Sequence, residues 1–111
     1  MPKSYSIVGM NWQKAEEFVK ALAPETPVVL IREPENEHDS NAVAVYVEGR
    51  KVGFIPSKQN KVLAMFIDQT GQDLSTLAMD SAATRPVGSK YISAKYFRSP
   101  NSGYPMVEVV E

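Results

Sequence analysis

The sequence predicts a mainly β protein, an α+β chain in which an antiparallel sheet or small barrel is interrupted by two helices. Three observations carry that expectation. Strand-like runs follow one another instead of alternating strictly with helices, which disfavours a doubly wound parallel sheet. Residues 41–56, "NAVAVYVEGRKVGFIP", have strand chemistry on both sides of a tight turn. Only two windows place apolar residues at helical spacing. With 111 residues the chain has the size of one domain, spanning 1–111, that can bury a core without staples.

The elements follow in order. "YSIVGM" reads as a short strand closed by Gly9. A helix over residues 11–22 is expected next, capped by Asn11 and carrying Trp12, Ala15, Val19 and Leu22 on one face. The breaker-rich "APETP" separates it from a second strand, Val28 to Arg32. In the hairpin, Val43, Val45 and Val47 share one face, Ala42, Ala44 and Tyr46 share the other, and the turn is expected at Gly49 and Arg50. A second helix is expected from Ser57 to Thr70, with Gln59, Leu63, Phe66, Ile67 and Thr70 at helical spacing and Gly71 ending it. "DLSTLAMDSAATRPVG" reads as a strand and then a loop, whereas "KYISAKYF" and "YPMVEVVE" read as two strands joined by the turn from Pro100 to Gly103.

Composition excludes several function classes. There is no cysteine and a single histidine, so disulfides, thiolate zinc sites, cysteine nucleophiles and a combined triad and metal cluster are all ruled out. No phosphate loop, dinucleotide fingerprint, nucleophile elbow or zincin motif is present. The expectation is a non-enzyme without cofactor, metal or small-molecule substrate. No window reaches the roughly eighteen apolar residues of a membrane helix, and the start has no signal-peptide pattern, so a cytoplasmic protein with no membrane partner is expected. The net charge of −1 supplies no global field towards polyanions, but charge is segregated: residues 33–39 hold four acids, while residues 81–107 hold Arg85, Lys90, Lys95 and Arg98 and no acid.

The acidic stretch "REPENEHDSNAV" invites a chemical reading. Glu37, Asp39, Asn41 and Glu48 fall at calcium-loop offsets, yet Ala42 stands where the sharp turn needs glycine and the next residues are apolar strand, so the register fails. Asp and Asn also close loops by bonding nearby amides, the preferred role for Asn41. Glu33, Glu35 and Glu37 are most simply solvated surface, although four alternating acids exceed what a turn requires. In "KYISAKYFRS", Lys90, Lys95 and Arg98 interleave with Tyr91, Tyr96 and Phe97, a pattern suited to tracking a nucleic-acid backbone. Alternation allows only half of that set on one surface, and an ordinary half-buried strand is the simpler reading.

Residues 32–56, "REPENEHDSNAVAVYVEGRKVGFIP", resemble the HIRAN domain. The resemblance rests on an Arg/Glu/Pro turn, an Asn, an Asp-x-Asn-Ala segment, and a hairpin whose return strand reads Val, Gly, aromatic, Ile, Pro. It is dense over residues 28–58, and the order of elements extends it to most of the chain. It implies a compact six-stranded barrel related to the oligonucleotide-binding fold that grips the free 3′ end of single-stranded DNA, in DNA repair or replication-fork processing, with a DNA-processing protein as a further expected partner. By that resemblance Asp39 accepts a hydrogen bond from the terminal 3′-hydroxyl, Asn36 helps hold the last nucleotide, and His38 stacks on a base. Arg32 and Asn41 are then structural parts of the turn. Lys58 and Lys61 are the candidates for phosphate, and Phe54 and Tyr5 for further aromatic contact, with a core role for Phe54 equally open. The sequence departs from the family pattern at Glu37 and His38, where Pro and Tyr are usual. A protein-interaction module of the same fold, whose acids meet a basic partner, is the alternative, and a metal-dependent nuclease a distant third, lacking a second carboxylate set.

Overall fold

The computed structural model describes residues 2–76 and 90–110. Seven strands, β1 (Ser4–Ser6), β2 (Pro27–Arg32), β3 (Val43–Val47), β4 (Arg50–Phe54), β5 (Gln72–Asp73), β6 (Lys90–Arg98) and β7 (Pro105–Val109), form one antiparallel sheet with two helices, α1 (Glu16–Lys20) and α2 (Asn60–Thr70). The order β1-β7-β6-β2-β3-β4 curls so far that the outer strands meet again. Val8 and Phe54 exchange two backbone hydrogen bonds, each 2.8 Å, and this bridge brings the β1 end against β4. A side chain at 53 would prevent it, because a Cβ there would lie 2.5 Å from the Val8 carbonyl oxygen. The result is a small curled barrel of six strands, with the two-residue β5 added alongside β6.

Side-chain alternation builds two apolar layers. Val43, Val45 and Val47 of β3 enter the interior with Val28, Leu30, Tyr5, Tyr96 and Val107, and α2 adds Leu63, Ala64 and Ile67. The opposite parity, Ile31, Ala44, Tyr46 and Tyr91, forms a smaller cluster with Val29, Phe54 and Leu74 against it. Each fully buried aliphatic side chain contributes about 1.5–3 kcal/mol, so the interior row holds the sheet and leaves the β2–β3 turn free for other work.

Most elements match the sequence expectation, with four differences. The first helix is only Glu16–Lys20: Lys14 takes φ 54, a left-handed conformation that no helix passes through. Asn11 therefore caps nothing, and Trp12 lies in the preceding turns, 84% exposed. The hairpin turns at Glu48 and Gly49, one residue early, because φ is positive at both (52 and 80), as a tight I′-type turn demands. The second helix starts at Asn60 after turns at 57–59, and Gly71 ends it in extended conformation, where a Cβ would lie 2.5 Å from the Ile67 carbonyl oxygen. The expected strand after it is only β5, followed by a short 3₁₀ turn, Leu74–Thr76; the loop read after it lies outside the described residues. Among the described residues no helix is long and apolar enough to cross a membrane.

Candidate functional site

The acidic stretch is the turn between β2 and β3, and its backbone is closed at both ends. Glu33 N–H donates to the Ala42 carbonyl at 3.0 Å, Asn36 N–H to Glu33 at 3.1 Å, and Ala42 N–H to Asp39 at 3.1 Å. Side chains then fix what lies between. The Asn36 carboxamide oxygen accepts from the amides of His38 (2.9 Å) and Asp39 (3.1 Å), while its nitrogen donates to Glu33 Oε1 at 3.0 Å. Asp39 Oδ1 accepts from the Asn41 amide at 2.8 Å, and Oδ2 accepts from Asn60 Nδ2 at 2.7 Å. These are the Asx-type closures that short polar side chains provide.

The turn is bound to its surroundings by charge. Lys51 Nζ lies 2.7 Å from Glu33 Oε2 and 4.9 Å from the centroid of the Phe54 ring. Arg32, only 5% exposed, donates from Nη1 to the Ala42 carbonyl at 2.9 Å and grips Asp68 on α2 with Nε and Nη2. One continuous chain therefore runs from Lys51 through Glu33, Asn36 and Asp39 to Asn60. Burial, and secondarily the Glu33 carboxylate, push the neighbouring Tyr46 phenol up to about 12, so it stays neutral at physiological pH.

The structure sorts the sequence candidates. Asp39 and Asn36 sit together in the turn, both half-buried, beside the exposed His38. Phe54 is half-buried below Lys51, between the outer apolar cluster and the rim. Lys58 and Lys61 are exposed at the entry to α2, whose first turn has neither an acid nor a side-chain cap and so presents open N–H groups. Tyr5 is corrected: it is 2% exposed in the interior, its hydroxyl bonded to the Pro2 carbonyl at 2.6 Å, and no ligand reaches its ring. Asn41 is corrected in role, since it gives the turn its backbone N–H and Asp39 supplies the closing side chain. Of the four acids, Glu33 is a tether with a side chain 12% exposed, not loose surface, whereas Glu35 and Glu37 are exposed.

On β6 the strand reading prevails over backbone tracking. Tyr96 is fully buried, Tyr91 is buried in the outer cluster, and Lys90, Lys95 and Arg98 lie against Asp68, Glu25 and Gly103 respectively. The calcium reading has no geometry behind it: both Asp39 oxygens face nitrogen donors and Glu48 sits in the β3–β4 turn. Among the described residues no group of three or more His, Asp or Glu could hold a metal.

Two contributors escaped the sequence. Asn60, 2% exposed, and Asp68 are distant in sequence and carry no local signal. Trp12 fell on an apparent helical stripe, but the left-handed Lys14 interrupts that stripe before α1 begins, and Trp12 is exposed in the turns ahead of it.

The model of the HIRAN domain family matches residues 3–96. No curated protein matches the chain. Among solved structures, a protein from Lactobacillus plantarum superposes with a TM-score of 0.66 at 18% identity, over 96% of this chain and 87% of that one. The HIRAN domain of human HLTF superposes with a TM-score of 0.59 at 17% identity, over 96% of this chain and 72% of that one. The family match runs from β1 into β6 and contains the whole turn, hairpin and α2, so the chain belongs to the HIRAN domain family.

Proposed function

We propose that this chain is a non-catalytic module that binds single-stranded DNA and recognises a free 3′-hydroxyl end, in the service of DNA repair or fork processing. The observation that carries the reading is the Asp39 carboxylate, half-exposed and fixed in place by the Asn41 amide and the Asn60 carboxamide. A carboxylate so held offers its remaining lone pairs to a hydroxyl donor and repels a phosphate, which separates a chain end from chain interior without reading sequence.

The surroundings supply what a terminal nucleotide needs. His38 is an exposed imidazole beside Asp39, able to stack on a base, and the half-buried Phe54, with Lys51 over its ring, offers an aromatic edge. Trp12 is a large exposed ring in the turns that follow the Val8–Phe54 bridge. Asn36 keeps one of its two amide hydrogens after bonding Glu33. Lys58 and Lys61, at the uncapped start of α2, attract the preceding phosphate.

The test is a titration with one oligonucleotide sequence ending in 3′-hydroxyl or in 3′-phosphate, repeated over a range of salt. The reading expects the hydroxyl end to bind more tightly and affinity to fall steeply with salt. Equal binding of the two ends, or no binding of single strands at low salt, would overturn it and favour a basic protein partner for the exposed Glu35 and Glu37.

A further inference from the structure

We infer that Asn60 is a positioning residue for end recognition, acting only through Asp39; the inference rests on the function proposed above. Asn60 opens α2, yet its side chain does not cap the helix: it turns to Asp39, with Nδ2 2.7 Å from Oδ2. At 2% exposure it touches no ligand itself. Its orientation is fixed by chemistry, since the carboxamide oxygen in that place would face a carboxylate. A buried amide so close to the solvent rim has to satisfy its donor, and the acceptor present is the carboxylate of the turn.

The consequence follows from how Asp39 is held. Its Oδ1 is tied to the Asn41 amide within its own turn, a contact that permits the carboxylate to swing about its bonds. The second donor comes from another element, twenty-one residues further along the chain, and removes that freedom. Asn60 thus decides whether Asp39 meets an incoming hydroxyl in a fixed geometry or as one of several rotamers.

The experiment is a double-mutant cycle on Asp39→Ala and Asn60→Ala, read as the ratio of affinities for 3′-hydroxyl and 3′-phosphate oligonucleotides. The expected result is that Asn60→Ala lowers the ratio by about tenfold, the worth of one hydrogen bond, while binding of the 3′-phosphate ligand changes little. In the Asp39→Ala background the same substitution should change the ratio no further, because its route of action is gone. Asn60→Leu guards against a folding failure: it keeps the volume of a buried side chain in the first helical turn and removes the donor without adding a charge, so it should abolish the preference at least as fully. A preference retained in both Asn60 variants, an equal weakening of both ligands, or a loss additive with Asp39→Ala would each overturn the inference. The absence of any end preference in the unaltered protein would instead overturn the function on which it rests.

Discussion

Arg32 at the end of β2 and Asp68 near the end of α2 form a two-pronged ion pair, Nε to Oδ1 at 2.9 Å and Nη2 to Oδ2 at 3.3 Å, while the same guanidinium donates from Nη1 to the Ala42 carbonyl. With Asn60 holding Asp39, α2 is tied to the β2–β3 turn at both of its ends. The turn that carries the candidate ligand groups is therefore braced by a helix that sequence places more than twenty residues away.

Removing that brace should be felt in stability. Arg32 is buried and Asp68 is half-exposed, so the loss centres on the Ala42 carbonyl and the unfilled space, not on the ion pair. Arg32→Ala should cost about 2 kcal/mol, a fall of roughly 6–12 °C in melting temperature for a domain of this size. Arg32→Lys should recover less than half, because a single ammonium cannot serve three acceptors in a planar fork. An unchanged melting temperature in both variants would show that α2 and the turn are held together by packing alone.

Barrel closure gives a second prediction. A Cβ at Gly53 would stand 2.5 Å from the Val8 oxygen and 2.8 Å from Ile7 Cγ2, both in the segment that closes the ring. Gly53→Ala should destabilise by about 1–3 kcal/mol and expose the amides of Val8 and Phe54 to faster hydrogen exchange. Slow exchange at both amides in the variant would mean that the bridge yields without parting.

Much of this was legible in the sequence for local reasons. The β3–β4 hairpin announces itself through strict alternation, and its two faces fill the two apolar clusters as the parity of Val43, Val45 and Val47 against Ala44 and Tyr46 requires. The turn could be located, but its internal assignment could not. Whether Asp39 or Asn41 supplies the closing side chain depends on which amide points inward, and Asn60 and Asp68 belong to the site only because α2 folds back over it. Trp12 misled for the opposite reason: a helical spacing of apolar residues was present, and one positive φ at Lys14 overrode it. Tyr5 gave no warning either, since aromatic residues on a strand serve core and ligand alike.

Alkaline stability follows from Tyr46. Its folded-state pKa is pushed up to about 12 from an ordinary value of 10, first by burial and then by Glu33. An unfolded chain thus releases this proton before the folded one does. The stabilisation is full below pH 10 and is lost as pH rises from 10 towards 12. Burial raises Tyr5 and Tyr96 in the same direction. Tyr46→Phe should flatten the decline in melting temperature over that window. An equally steep decline in the variant would assign the loss to the other two tyrosines.

Trp12 offers a direct optical readout, being the only tryptophan in the chain and 84% exposed. Stacking on a base should quench its fluorescence as single-stranded DNA is added. Trp12→Ala should leave the unfolding free energy within about 0.5 kcal/mol of the parent while weakening binding by about 1–3 kcal/mol. Unaltered fluorescence at saturating DNA would remove Trp12 from the interface.

The most discriminating prediction concerns Asp39→Asn, which changes charge with almost no change of shape. Residue 39 must still accept from the Asn41 amide, and an asparagine does so with its oxygen, leaving its own NH₂ facing Asn60. Asn60 then has only to turn its carboxamide over to present oxygen, so both bonds survive and the fold should hold. What disappears is the negative charge. A terminal 3′-hydroxyl loses a charge-assisted hydrogen bond, and binding should weaken by roughly 1–2 kcal/mol, about five- to thirtyfold. A 3′-phosphate loses a repelling neighbour, and its binding should strengthen or stay level. The two ends therefore converge from opposite directions, a pattern that general loosening of the turn does not produce, since that would weaken both. Parallel titrations of the two ligands at one ionic strength, with the melting temperature as the folding control, decide it. A variant that keeps the hydroxyl preference of the parent protein would show that Asp39 braces the turn and does not touch the end of the strand.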